Sequence, residues 1–195
     1  MAGLTILVIR HAEKPDDRHP EWGAGFRSEG TEDPEALIIR GWQRAGSWSA
    51  LFGAGIGGAD YPQPQVIFAA NPDPPPGGKE PSQRPFETIA PLAARMGMDP
   101  KPIKTFAKGQ ERELAQKLVS LEEVVVLVCW EHEAIVGSLL PAIAGGQHLP
   151  GMPQTWDGNR FDVVLRFDRA APGAPWSFHQ LFPRLLSGDL DTPLK

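Results

Sequence analysis

A length of 195 residues with 41% hydrophobic content fits one domain, residues 1–195, with a sizeable core, and excludes global disorder. With 19 basic residues against 24 acidic ones, the formal charge of -5 excludes the broad positive field that nucleic acid or an anionic membrane requires. Any anion site must therefore be a local cluster of cations. Cys129, the only cysteine, rules out an intrachain disulfide and a Cys-rich zinc site, and it reads as a buried thiol.

The chain opens MAGLTILVIRHAEKP. Its apolar run is too short to span a membrane, has no basic residue before it and ends in charges. Neither a signal peptide nor a transmembrane segment is expected, which leaves the cytoplasm by exclusion. Leu4 to Ile9 is a continuous β-branched run, as in a strand buried on both faces. Lys14 to Pro34 is rich in Pro, Gly, Asp and Glu and reads as a long loop. Apolar residues then recur at helical spacing from Leu37 to Phe52, and Gly53 to Gly58 supplies the stop. Val66 to Ala70 is a second short strand, followed by a Pro/Gly-rich loop over 71–82 that forbids regular structure. A helix is predicted from Arg84 to Met96, with Pro85 tolerated in its first turn. Another runs from Gln110 to Ser120. The clearest buried strand spans Glu123 to Cys129, and an apolar helix over Ala134 to Ala144 ends at Gly145-Gly146. Phe161 to Phe167 and Trp176 to Phe182 pair as a hairpin. Strands alternating with helices imply βαβ units and a largely parallel sheet.

Open parallel sheets bind ligands at the carboxyl ends of their strands. The first strand delivers Arg10-His11, the second leads through its loop to Arg84, and the third delivers Trp130-Glu131-His132. Two arginines and two histidines thus leave the sheet at one edge. Neighbours on a regular strand point to opposite faces, so the chain must depart from extended geometry for Arg10 and His11 to share a ligand. Glu131 and Glu133 flank His132 and, on an extended chain, point away from it, so both read as structural. His19, His148 and His179 read as surface or loop histidines, Lys14 as a solvated side chain, and Trp130 and Trp156 as core. Gly53-x-Gly55-x-Gly57 follows a helix rather than a strand, so it is not a dinucleotide loop; no Walker lysine, His-Glu-x-x-His or Gly-x-Ser-x-Gly pattern occurs.

LVIRHAEKP resembles the signature of the histidine phosphatase superfamily, the phosphoglycerate-mutase-like proteins, and in particular its small branch 1 phosphatases. LIIRGWQRA is similar to a second segment of that family, through Leu37, Gly41, Gln43-Arg44 and Ala45. SQRPFETIAPLA is similar to its Arg-x-x-x-Thr-Ala motif, carried by Arg84, Thr88 and Ala90, and VVVLVCWEHEAI to the strand that delivers a second histidine, His132. The four segments occur in family order from Leu4 to about Ala144. Three departures stand out. Ile38 replaces the usual Thr or Ser that begins the second segment, Ile89 displaces the motif's Ala by one place, and the loop between Ala70 and Ser82 is longer than usual.

The resemblance implies a three-layer α/β/α sandwich with a mainly parallel central sheet, phosphoglycerate-mutase-like. It also implies a phosphomonoester hydrolase in which His11 forms a transient phosphohistidine while Arg10, Arg84 and His132 cradle the phosphate. The substrate is then a small-molecule or protein phosphomonoester, with no metal, cofactor, nucleic acid or membrane called for. One nitrogen of His11 must be unprotonated, with the other donating to a fixed acceptor such as a backbone carbonyl. Glu111, Glu113 and Glu13 are the candidate general acids. A phosphate-ligand sensor lacking an effective acid is the alternative, and a phosphoglycerate-type mutase a weaker one. The oligomeric state is not legible.

Overall fold

Strand β1 (Leu4–Arg10) occupies the middle of the sheet, and its run from Ile6 to Ile9 is fully buried, as a strand covered on both faces requires. On one side it pairs in parallel with β3 (Val125–Trp130), on the other antiparallel with β4 (Val164–Arg169). The edges are β2 (Val66–Ala69), parallel to β3, and β5 (Ser177–Leu181), antiparallel to β4. The order is β2-β3-β1-β4-β5, so β4 alone runs against the other strands. The structure, a computed structural model, describes residues 3–73, 82–99 and 103–195; most of the Pro/Gly-rich 71–82 loop lies outside these residues.

Period-two alternation divides the strands between two apolar layers. Leu7, Ile9, Ile67 and Leu127 face helices α1 (Ile39–Gly53) and α2 (Arg84–Arg95), where Trp48, Phe52, Ile89 and Leu92 meet them. Ile6, Val8, Val126, Val128 and Phe167 face the opposite way, toward Leu114 and Leu118 of α3 (Glu111–Val119) and Leu139 and Ile143 of the 132–143 helix. The chain is an α/β protein with a mixed, mostly parallel open sheet, an arrangement compatible with three layers. Among the described residues no helix is long and apolar enough to cross a membrane.

Three elements differ from the sequence expectation. Helix α1 starts at Ile39 rather than Leu37, with Ile38 as a cap that offers no side-chain acceptor. The amides of Leu37 and Ile38 bond instead to the Glu87 carboxylate and the Glu13 carbonyl. The strand expected from Phe161 starts only at Val164, because the backbone before it is turned toward Arg10: the carbonyls of Gly158 and Arg160 accept from that guanidinium. The helix expected from Ala134 begins at His132 and passes through a π turn, Ile135–Leu139, before Leu140–Ile143. Pro141 lacks the N–H an α-helix would give to Gly137, so the regular ladder is already interrupted there.

Candidate active site

The edge where β1 and β3 end is knitted together by backbone bonds. Arg10 pairs with Trp130 in register, and the His11 amide donates to the Trp130 carbonyl at 2.9 Å. One residue on, the Ala12 amide donates to Thr88 Oγ1 (2.8 Å), whose hydroxyl donates to the Arg84 carbonyl (2.7 Å). A single buried hydroxyl thus joins the exit of β1 to the first turn of α2. Gly41 completes the arrangement from α1: a Cβ there would collide with the Glu13 backbone carbonyl, so only glycine lets the helix come this close.

His11 is 3% exposed, and its Nδ1 lies 2.8 Å from the Ala12 carbonyl. A carbonyl can only accept, so Nδ1 carries the hydrogen and Nε2 keeps its lone pair. Burial pushes the His11 pKa well below the ordinary histidine range; the charge of Arg10 adds to this, the Ala12 bond opposes it, and Arg84 and His132 depress it further. All three sequence-predicted partners are therefore within electrostatic reach of His11.

The arginines are oriented by acceptors that leave part of each guanidinium unused. Arg10 Nη1 donates to the carbonyls of Gly158 (2.7 Å) and Arg160 (3.1 Å), and its guanidinium carbon sits 3.9 Å over the Phe161 ring. Burial lowers its pKa to about 10, against the opposing charges of Glu131 and Glu13. Arg84 Nη2 donates to the Pro34 carbonyl at 2.9 Å and stands 3.2 Å from Glu35. The Nε of both arginines is buried without a partner among the described residues. An unpaired buried donor costs about 1–3 kcal/mol, and a bound oxyanion would remove that cost.

His132 opens its helix instead of standing on an extended chain, which corrects the reading of its neighbours. Glu131 does not point away: its side chain caps the helix by accepting from the amides of Glu133 and Ala134, both at 3.0 Å. Its Oε1 also lies 2.7 Å from His132 Nδ1, at ion-pair distance though not aligned as a hydrogen bond. Burial pushes the Glu131 carboxyl up, but His132 and the two amides outweigh it and hold the pKa at about 2. Glu133 is exposed.

The candidate acids are occupied or exposed. Glu13 accepts from Arg44 Nε at 3.0 Å and Nη2 at 2.7 Å, and from Arg40 at 3.2 Å, so it serves as a buried counter-ion. Glu111 Oε1 receives the Trp130 indole N–H and the Gly109 amide, both at 2.9 Å, and Glu113 is exposed. Lys14, expected to be solvated, is half-buried, and its pKa is lowered by burial and then by Arg84. His19 stacks on Trp22 at 4.4 Å, and Trp22 meets the edge of Phe161. His148 and His179 are exposed, and Trp130 and Trp156 are core residues as expected.

Sequence reasoning missed Phe161, Glu131 and Glu87. Phe161 had no local signal, since its role depends on a loop folding back from beyond residue 150. Glu131 carried one: an acidic residue immediately before a helix is a cap, once the helix is started at His132. Glu87 lies one turn after Arg84, and burial raises its pKa to about 7. Among the described residues no group of three or more His, Cys, Asp or Glu is placed to hold a metal ion. The chain matches no protein-family model and no curated protein sequence.

Proposed function

We propose that this chain is a phosphomonoester hydrolase of the histidine phosphatase type, acting through a phosphohistidine on His11. The observation that carries the reading is the state of His11. Its Nδ1 is fixed on the Ala12 carbonyl, which leaves the lone pair on Nε2, and burial, aided by the cations around it, keeps the ring neutral. A neutral imidazole facing cations is suited to attack an electrophile that itself brings negative charge. Nε2 attacks phosphorus, the bond to the leaving oxygen breaks, and water then displaces the phosphoryl group from His11. Arg10, Arg84 and His132 stabilise the oxygens as charge moves among them. The phosphoglycerate-mutase-like variant of the three-layer fold belongs to this same reading. A sensor would need the cations but not a nitrogen held as a lone pair, which favours catalysis.

The test is hydrolysis of p-nitrophenyl phosphate and a panel of alkyl phosphates and phosphopeptides. Wild type should turn over at least one class, and His11→Ala should be inactive. Arg84→Ala should keep the fold and lose about 100-fold or more in kcat/KM, the scale of removing one preorganised charge donor. Rapid quench should trap an acid-labile, alkali-stable phosphoenzyme; an acid-stable adduct would assign the nucleophile elsewhere. Equal phosphate binding by wild type and His11→Ala, with neither turning over any substrate, would leave the sensor reading.

A further inference from the structure

We propose that Glu131 and His132 form the proton-donating pair of this site, with His132 Nε2 protonating the departing oxygen and Glu131 positioning and charging the ring through Nδ1. This rests on the phosphatase reading above. The starting point is that a leaving alkoxide needs a proton, and the carboxylates that the sequence offered do not supply one. Glu13 is bound to Arg44 and Arg40, while Glu111 accepts two hydrogen bonds on one oxygen. Glu131 is the carboxylate that acts most strongly on Arg10, which sets it near that guanidinium. It accepts two helix amides and lies 2.7 Å from His132 Nδ1, so it is built to stay ionised and cannot itself donate.

A proton on Nδ1 facing that carboxylate leaves Nε2 to face the ligand. A bare Nε2 lone pair would repel phosphate oxygens, whereas Nε2–H attracts them. Glu131 on one nitrogen and the phosphate on the other would place an acceptor at each end of the ring. The two histidines are thereby set apart: His11 is buried on a neutral carbonyl acceptor, and His132 stands on a carboxylate. The charged groups shown to act on the pair's two members are Arg10, which feels Glu131 and Glu133, and His11, which feels His132.

The steps balance. As His11 Nε2 bonds to phosphorus, the phosphorus–oxygen bond breaks with its electron pair on the leaving oxygen, which takes the Nε2 proton of His132. The neutral His132 then accepts a proton from the attacking water. The bond between phosphorus and His11 breaks, its electrons return to His11 Nε2, and inorganic phosphate departs with His132 charged again.

The experiment compares an alkyl phosphate with p-nitrophenyl phosphate, whose phenolate leaves readily without a proton, in wild type, Glu131→Gln and Glu131→Asp. Glutamine keeps an oxygen for one of the two helix amides and lacks the charge. Glu131→Gln should lose about tenfold or more in kcat/KM on the alkyl ester, a fraction of what a full general acid contributes, and far less on the nitrophenyl ester. Its alkaline limb should move to lower pH, and Glu131→Asp should recover part of the alkyl activity. Equal losses on both esters, or none on either, overturn the proton role. Phosphohistidine trapped in wild type and Glu131→Gln alike keeps the phosphatase reading standing in that event. Absence of turnover and of phosphoenzyme in wild type instead rejects the reading beneath it, and this proposal with it.

Discussion

Glu87 is buried at 7% exposure one turn beyond Arg84, yet it is the acceptor for the Leu37 amide. Burial raises its pKa from 4.5 to about 7, with the Leu37 bond and Arg27 opposing. Between those values the folded protein retains a proton that the unfolded chain has lost, so stability falls as pH rises through that window. Glu87→Gln keeps the Leu37 bond without the charge. It should leave stability near pH 4 almost unchanged and raise it by about 2 kcal/mol at pH 8, measured by urea unfolding across pH. A wild-type stability that stays level from pH 4.5 to 7 would refute this. At this scale the sequence was informative where a strand end names its residue: Arg10, His11 and His132 follow directly from β-branched runs. It was silent on Glu87, whose character depends on what a distant loop lays over it.

Between elements, the decisive contacts are small. Thr88 satisfies the Ala12 amide and returns its own hydrogen to the Arg84 carbonyl, so Thr88→Val strands a buried donor beside His11. The expected loss is about 1–3 kcal/mol of stability, with a fall in kcat exceeding any fall in KM, because His11 loses its register with Arg84. A variant with normal kcat would show that the loop is held by other means. Gly41→Ala gains helix propensity but drives a methyl group into the Glu13 carbonyl, for a net cost of about 2 kcal/mol by thermal unfolding. Both residues stood in the sequence pattern, although only the packed helices explain why they are needed. The start of the last helix was misplaced for a related reason: hydrophobic periodicity begins at Ala134, whereas the helix is set by a cap at Glu131 and interrupted near Pro141.

For the whole molecule, alternation of strands and helices made the α/β class legible, and the hairpin of β4 and β5 followed from its own alternation. What could not be read was how the last thirty or so residues return to the site, since such contacts span most of the chain. Arg160 donates to Asp162 and to the Thr192 carbonyl, and Arg44 bridges Glu13 to Asp189 at 2.7 and 2.8 Å. Arg44, Glu13 and Asp189 are all at least nine-tenths buried, so removing one partner leaves the others uncompensated. Arg44→Met should destabilise by about 3–5 kcal/mol in urea, and a near-neutral result would mean that water replaces the guanidinium. Burial raises the Asp189 carboxyl, but its bonds to Arg44 and the Leu186 amide outweigh this and hold the pKa below the ordinary aspartate value. Its contribution is therefore present above that value and is lost as pH falls through the lowered one.

The clasp between Asp189 and Arg44 also imposes an order of events during synthesis. Glu13 follows His11 by two residues, yet the aspartate that shares its counter-ion Arg44 arrives only after 175 further positions have been translated. A nascent chain still threaded through the ribosome can assemble β1 and α1, but Arg44 then holds a single carboxylate. The Glu13–Arg44–Asp189 cluster is thus complete only once Asp189 has cleared the exit tunnel.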